Sequence, residues 1–396
     1  MKKAVLLVIF LYTFNFIHAQ ERPITVAVPF LLVAADARAA GQGDNGVATS
    51  ADGFSQQWNP SKYAFATDQQ GFSVSYTPYL TELANDISLA QLNYFNKYSD
   101  KSAFGASFRY FGLGDIELRP DFDSPAQVVS PNEFAFDLSY SLKLSEKFSM
   151  AVAGRYINSN LKVATDNNDA SSSGSFAVDV AGFYQSEELA YSDFNGRWRG
   201  GFNFQNMGPK MSYDNDDINA NFLPANMRLG GGFDFILDEY NTIAVNLEIT
   251  KLMVPTPQVS YDGDGYQGTD MNGDGIVDKT DSDLAKDEYK SIGWFEGMFQ
   301  SFTDAPDGFS EELKEVTYSI GSEYIYQDSF SFRAGYFHES PDKGAREFFS
   351  LGAGFKYSSV KVDVSYLFSA SKVPNPLENT LRFSLSFNFG EKYENY

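Results

Sequence analysis

Residues 381–389 read LRFSLSFNF, and in this stretch every second side chain is apolar. The apolar residues are Leu381, Phe383, Leu385, Phe387 and Phe389, and the residues between them are Arg382, Ser384, Ser386 and Asn388. Successive side chains of a β-strand point to opposite faces of a sheet. The spacing therefore predicts a strand with one apolar face and one polar face.

The same alternation recurs along most of the chain. Fourteen such segments are predicted, most of about 10 to 13 residues, at 70–80, 87–98, 102–112, 133–144, 148–164, 174–186, 198–207, 226–238, 241–254, 314–326, 329–338, 346–357, 360–370 and 379–389. Strands of soluble proteins usually run about 5–6 residues, whereas a tilted membrane strand needs about 9–11. The lengths therefore favour a membrane barrel over a soluble all-β sandwich, which alternation alone would also allow.

The connections between these segments fall into two length classes. Tight turns are predicted at 99–101, 145–147, 239–240, 327–328 and 358–359, and longer polar loops at 113–132, 165–173, 208–225 and 255–313. Short turns at one end, long loops at the other and an even strand number are typical of outer-membrane barrels. We therefore predict an all-β, 14-stranded antiparallel transmembrane barrel in the outer membrane. The connection at 187–197 does not fit, because it is too long for a tight turn.

Composition excludes several classes of function. The chain has 396 residues, a net charge of −22, no cysteine and two histidines. Without cysteine there is no disulfide, thiolate nucleophile or cysteine zinc site. The acidic balance also speaks against nucleic-acid binding, because neutralising phosphates needs clustered Lys and Arg. We predict no enzyme, since an esterase or deacylase would depend on His338 alone. The 16% aromatic content fits the interfacial girdles of a barrel.

The residues before the barrel divide into two segments. Residues 1–19 carry Lys2 and Lys3 before a short apolar run, which predicts a signal peptide rather than a membrane anchor. Residues 20–68 are rich in Ala and Gly, and we predict that they form a plug inside the barrel, with a disordered periplasmic tail as the alternative. The barrel itself is predicted at 69–390, and a C-terminal tail at 391–396.

The loop at 255–313, which we predict to be a large acidic insertion on the extracellular side, carries a candidate calcium site. It has 14 acidic residues and three lysines, so its net charge is −11. Residues 270–281 read DMNGDGIVDKTD, which matches a twelve-residue calcium loop with a sharp turn at Gly275. The predicted ligands are Asp270, Asn272, Asp274, the Ile276 carbonyl, Asp278 and Asp281. The alternative is an acidic, solvated loop that matches the motif by chance.

Aromatic residues and methionine follow this motif at helical spacing. They are Trp294, Phe295, Met298, Phe299 and Phe302. We predict a short amphipathic helix, which either packs back on the barrel rim or offers a binding surface to a partner.

Other polar residues lie on the inward faces of the strands or in the plug. Gly41, Gly43 and Gly46 formally match G-x-G-x-x-G, but no βαβ unit surrounds them, so a dinucleotide site is rejected and close packing in the plug is predicted instead. Lumen ion pairs are predicted between the arginines Arg109, Arg155, Arg228, Arg333 and Arg382 and the acids Asp137, Asp179, Asp234, Glu248 and Asp363.

Several motifs together resemble a known family. They are the plug motif Asp36-Ala37-Arg38-Ala39-Ala40-Gly41-Gln42-Gly43, the motif Trp58-Asn59-Pro60, the segment Ser130-Pro131-Asn132-Glu133-Phe134 and the acidic insertion. With fourteen alternating strands, the chain resembles the superfamily of the long-chain fatty-acid transporter FadL. Within it, the chain is most similar to the PorV family of the type IX secretion system. The resemblance covers essentially the whole mature chain, although its motifs are loose.

The resemblance implies transport rather than catalysis. PorV-like proteins are expected to bind the C-terminal signal domains of cargo at the type IX translocon barrel protein and to carry them to a cell-surface attachment complex. A FadL-like channel for long-chain fatty acids or other hydrophobic molecules is the alternative. Outer-membrane lipid is the expected surrounding in both cases, and nucleic acid is not an expected partner.

Overall fold

The computed structural model describes residues 24–79, 86–119, 125–161, 172–213, 220–261, 265–371, 378 and 380–393. Within these residues fourteen long strands form one antiparallel sheet, in which neighbours in the chain pair and the last strand pairs with the first. They are β1 (Asp68–Pro78), β2 (Ile87–Lys97), β3 (Ser102–Leu113), β4 (Asn132–Ser145), β5 (Phe148–Asn160), β6 (Ser173–Gln185), β7 (Asn195–Met207), β8 (Asn226–Ile236), β9 (Asn241–Leu252), β10 (Val316–Tyr326), β11 (Phe330–His338), β12 (Glu347–Tyr357), β13 (Val360–Ser369) and β14 (Leu381–Lys392). The predicted 14-stranded barrel is confirmed. The predicted signal peptide, residues 1–19, lies outside the described residues.

The apolar side chains of the strands point outward. On β14, Leu381 and Phe383 are 43% and 46% exposed, whereas Arg382 and Ser384, which alternate with them, are buried. A soluble sandwich would bury its apolar row instead. The outer wall is therefore apolar and the lumen is polar, as a barrel that crosses a membrane requires.

Several strands begin or end a few residues from the predicted boundaries, and two features of the wall were not predicted. The long connection after β6 contains a two-residue strand, Leu189–Ala190, that pairs with Asn195 and Gly196 and extends the wall there. The last strand continues past Phe389 to Lys392, because Lys392 pairs with Asp68 at the seam where the barrel closes. The predicted tail at 391–396 thus begins two residues inside this strand.

Residues 24–67 lie inside the barrel. They form a 3₁₀ turn (Pro29–Leu32), helix α1 (Ala37–Ala40), helix α2 (Ser55–Trp58) and a second 3₁₀ turn (Pro60–Phe65). The ring of Tyr63 stacks on that of Phe95 from β2 at 4.9 Å, and Phe65 meets Phe183 from β6 edge to face at 5.5 Å. Aromatic side chains thus fix this segment to inward-facing residues of the wall.

The connection between β9 and β10, residues 253–315, is the largest loop. It contains a small hairpin (Val259–Tyr261 and Tyr266–Gly268) and the helices α3 (Lys279–Ser291), α4 (Trp294–Gln300) and α5 (Phe309–Lys314). No helix in the described part of the chain is long and apolar enough to cross a bilayer.

Candidate functional site

Glycines allow the backbone of residues 24–67, the segment that lies inside the barrel, to contact the backbone of the wall. A Cβ atom on Gly41 would lie 3.0 Å from the Cα atom of Gly352 on β12. Gly43 has φ +75°, its N–H donates to the Ser350 hydroxyl at 2.9 Å, and a Cβ there would lie 2.7 Å from the Tyr336 carbonyl oxygen. Only glycine fits such an approach without strain. The glycines of the G-x-G-x-x-G match therefore serve packing in this structure.

Polar side chains join the short helices of this segment. The Asp36 carboxylate accepts hydrogen bonds from the Ala39 backbone N–H at 2.8 Å, which caps α1, and from the Trp58 indole N–H at 2.7 Å. The Asn59 amide donates to the carbonyl of Gly182 on β6 at 3.0 Å. Pro60 then begins the second 3₁₀ turn, where its missing N–H costs no hydrogen bond.

A buried chain of charges links the segment to the wall. Arg38 contacts Asp52 and Glu323 at 2.7 Å each, and Glu323 also contacts Arg333 at 2.7 Å. Arg333 in turn lies 2.8 Å from Asp363 on β13. Charges in such surroundings are stable only when paired, so the network holds the segment and the three strands β10, β11 and β13 in one arrangement.

Glu248 forms a second link. Its carboxylate accepts the backbone N–H groups of Gly46 and Val47, each at 2.8 Å, and contacts Arg228 at 2.9 Å. The predicted lumen pairs of Arg155, Arg228 and Arg333 are confirmed. Arg109 and Arg382 differ from the prediction, because they reach the Leu31 carbonyl and Asp44 inside the barrel.

Sequence reasoning missed Asp52 and three further residues that tie the segment together or support the wall. Lys62 is buried and donates to the Gly46 carbonyl at 2.8 Å, and Arg199 pairs with Asp234 at 2.5 Å. Glu323 was missed because its partner Arg38 is 285 residues away. Its position on the inward row of β10, with Ser319 and Gly321, was the available signal.

A cavity of about 110 Å³ lies beside the segment, toward the end of the barrel that carries the long loops. Its lining is mixed and includes apolar Ile24, Leu32, Trp58 and Phe337 and charged Asp44, Arg228, Glu248, Lys343 and Arg346.

The twelve-residue acidic motif folds into a closed loop that leads into α3. Asp270 accepts the N–H groups of Gly273 and Gly275 at 2.7 and 2.8 Å. Asp281 accepts the N–H of Met271 at 2.8 Å, which brings the second and last positions of the motif together. The side chains of Asn272 and Asp274 accept hydrogen bonds from the backbone N–H groups two residues further on, and Asp278 caps α3. Among the described residues, however, no group of three or more His, Asp or Glu side chains converges as a metal site.

The predicted aromatic helix is α4, and its side chains point in two directions. Met298 is buried against Met253, and Trp294 packs on the same cluster. Phe295 and Phe299 meet edge to face at 5.2 Å and are 59% and 64% exposed. Phe302 follows just beyond the helix.

Asp304 lies among acids beneath α5. Burial and, to a smaller extent, the nearby Glu312 and Glu315 together raise the pKa of this carboxyl from 3.8 to about 6, against the hydrogen bond from the Thr256 backbone N–H at 3.0 Å.

This raised pKa predicts a pH-dependent loop. A carboxyl with a higher pKa in the folded than in the unfolded state stabilises the fold at low pH, and that stabilisation is lost as the pH rises from about 4 through 6. The protection of residues 302–316 against hydrogen exchange, taken relative to the intrinsic exchange rate at each pH, should therefore fall across this range. In Asp304→Asn, which keeps an acceptor for Thr256, the dependence should disappear. An unchanged profile in the variant would show that another group titrates.

His338 lies in an aromatic row of the wall. Its ring stacks on Tyr318 at 4.7 Å, and its Nδ1 atom is 3.3 Å from the Tyr336 hydroxyl and 3.8 Å from the Glu347 carboxylate. These neighbours fit a place in an interfacial girdle at the end of β11.

The closed apolar-walled barrel, with its own N-terminal residues bonded inside the lumen, defines an outer-membrane β-barrel protein. The family model described as "Type IX secretion system protein PorV" matches residues 16–259. The chain therefore belongs to the PorV family, and it is an outer-membrane component of the type IX secretion system.

Comparison with solved structures finds similar barrels at low sequence identity. The Pseudomonas putida toluene transporter TodX has 12% identity and a TM-score of 0.47, with 88% of this chain and 95% of TodX covered. The Ralstonia pickettii toluene transporter TbuX has 11% identity and a TM-score of 0.48, covering 91% and 100%. A Pseudomonas aeruginosa FadL homologue has 11% identity and a TM-score of 0.43, covering 93% and 100%. No curated protein matches the sequence.

Proposed function

We propose that this protein is a non-enzymatic carrier in type IX secretion. It binds the C-terminal signal domains of cargo that leave the translocon barrel protein and passes them to the cell-surface attachment complex. The observation that supports this role is the occupied lumen, where residues 24–67 are tied to the wall through Glu248 and Glu323. A barrel filled by its own chain offers partners its loops and outer wall.

The large loop is the proposed partner surface. Trp294 and Met298 fix α4 to the barrel, and Phe295 and Phe299 are left exposed next to each other. Exposed aromatic pairs are enriched at the centres of protein interfaces. We assign to this pair the contact with the translocon or with cargo.

Replacing Phe295 and Phe299 together with Ser should weaken co-purification of the translocon or cargo. Loss of a central aromatic anchor costs about 2 kcal/mol or more, which is roughly a thirtyfold change in affinity. The matched control is Tyr261→Ser, which removes a 62% exposed ring from the same loop. Equal recovery of partners with both variants would contradict the assignment.

Deleting the gene tests the carrier role itself. Cargo with C-terminal signal domains should then accumulate in the periplasm, and the wild-type chain should restore its surface attachment. If attachment persists and uptake of long-chain fatty acids is lost instead, the chain is a FadL-like channel. The cavity beside Trp58 favours this second candidate, but its charged lining fits a hydrophobic solute poorly.

We also propose that calcium binds the 270–281 loop. The loop is already closed by Asp270 and Asp281, and the carboxylates of Asp274 and Asp278 belong to the same loop, so these four groups are among the proposed ligands. Extracellular loops of this type have Kd values of about 10⁻⁴–10⁻³ M.

Calorimetric titration of the whole protein with calcium should show uptake of one ion at millimolar concentration. Asp270→Ala removes the first ligand and should abolish the heat, whereas Asp283→Ala, on the exposed side of α3, should leave it unchanged. No heat from the wild-type protein would remove the proposal.

A further inference from the structure

Part of the large loop folds back onto the outer wall of the barrel. Phe204 on β7 and Met227 on β8 are paired in the sheet and alternate with residues that face the lumen, so both point outward. These two side chains pack in one cluster with Trp294 and Met298 from α4. The loop therefore covers the lipid-facing side of the barrel near the extracellular ends of β7 and β8.

Next to this contact, the loop and the wall line an open apolar pocket. The wall contributes Met227, Ile249 and Val316, and the loop contributes Phe302, Phe309 and Leu313. The pocket has a volume of about 210 Å³. Phe309 and Leu313 at its edge are 77% and 58% exposed, an unfavourable state for large apolar side chains in water.

The pocket is continuous with the surface that contacts the membrane. Ile249 belongs to the outward row of β9 with Val245 and Leu247, all of which are exposed. An occupant that enters along this row comes from the bilayer.

Charge is confined to one end of the pocket. Lys251 lies two residues beyond Ile249 toward the extracellular end of β9, and its ammonium group contacts Glu312 at 3.0 Å and Glu315 at 2.6 Å. The charged end thus faces outward and the apolar end faces the middle of the bilayer. A lipid of the outer leaflet has the same orientation, with its headgroup outside and its chains inside.

We propose that this pocket holds one acyl chain of an outer-leaflet membrane lipid, whose headgroup lies beside Lys251 and Glu312. The bound chain covers Phe309 and Leu313 and fastens α5 to the barrel wall. This inference does not depend on the secretion role.

Photolabelling in purified vesicles tests the proposal. The full-length protein is placed in phosphatidylcholine vesicles that contain a phosphatidylcholine with a diazirine on one acyl chain, and labelled peptides are identified after irradiation. Label should be enriched on residues 302–316 relative to the exposed wall strands β12 and β13. Leu313→Glu should reduce the labelling of 302–316 about tenfold, equivalent to about 1.4 kcal/mol of lost binding.

Two further variants keep the test decisive. Leu284→Glu makes the same change on α3, outside the pocket, and should leave the labelling unchanged. Phe309→Gln, at a 77% exposed position, should reproduce the loss if Leu313→Glu fails to fold. Labelling of 302–316 no stronger than that of the wall, or equal labelling in the pocket variants and Leu284→Glu, overturns the proposal.

Discussion

Glu323→Gln should lower the free energy of unfolding by about 3–5 kcal/mol, as expected when one partner of a buried ion network is removed. Glu323 lies between Arg38 and Arg333, so the substitution deprives two buried guanidinium groups of a carboxylate. Urea unfolding in lipid vesicles measures the loss. Limited proteolysis should also cut within residues 24–67 sooner than in the wild-type protein, because Arg38 no longer fixes the segment.

The control for this substitution is Glu187→Gln. Glu187 pairs with Lys147 at 3.0 Å, but both side chains are largely exposed. Exposed pairs contribute about 0–1 kcal/mol, so this variant should behave as the wild type. If the two substitutions cost the same, the network inside the lumen does not hold the segment.

Gly43→Ala is the second substitution with a large expected effect. At φ +75° an alanine is strained by about 1–2 kcal/mol. Its Cβ would also lie 2.7–2.9 Å from the backbone of Tyr336, and such overpacking costs about 1–3 kcal/mol more. The segment inside the barrel must therefore move away from β11. A lower urea midpoint and faster proteolysis of residues 24–67 would report this.

Gly273 provides a matched control, because it has the same φ of +75° and nothing within 4 Å of an added Cβ. Gly273→Ala should show only the backbone strain, confined to the 270–281 loop. Equal effects at the two positions would mean that the contact with Tyr336 contributes nothing.

The period of two made the wall predictable from sequence. Residues such as Phe383 and Arg382 on β14 differ so strongly in polarity that their faces are assigned without a structure. The contacts of the lumen were less accessible. Arg109 and Arg382 were expected to pair across strands, but the segment inside the barrel supplies nearer acceptors, which no strand pattern reveals. The position of α4 on the outer wall also depends on how a long loop folds back. Helical spacing alone does not show against which part of the barrel the helix packs.

The bonds inside the barrel also set an order for folding. The Ala37 N–H donates to the Ser384 hydroxyl of β14, 347 residues later in the chain. Arg38 likewise donates to Glu323 on β10, 285 residues later in the chain. The residues that are synthesised early thus gain their partners only when the final strands arrive, and contacts so distant in sequence form slowly. Closure of the cylinder and capture of its contents are therefore expected to be one late, cooperative event, and a chain that lacks β14 should leave its N-terminal residues accessible to periplasmic proteases.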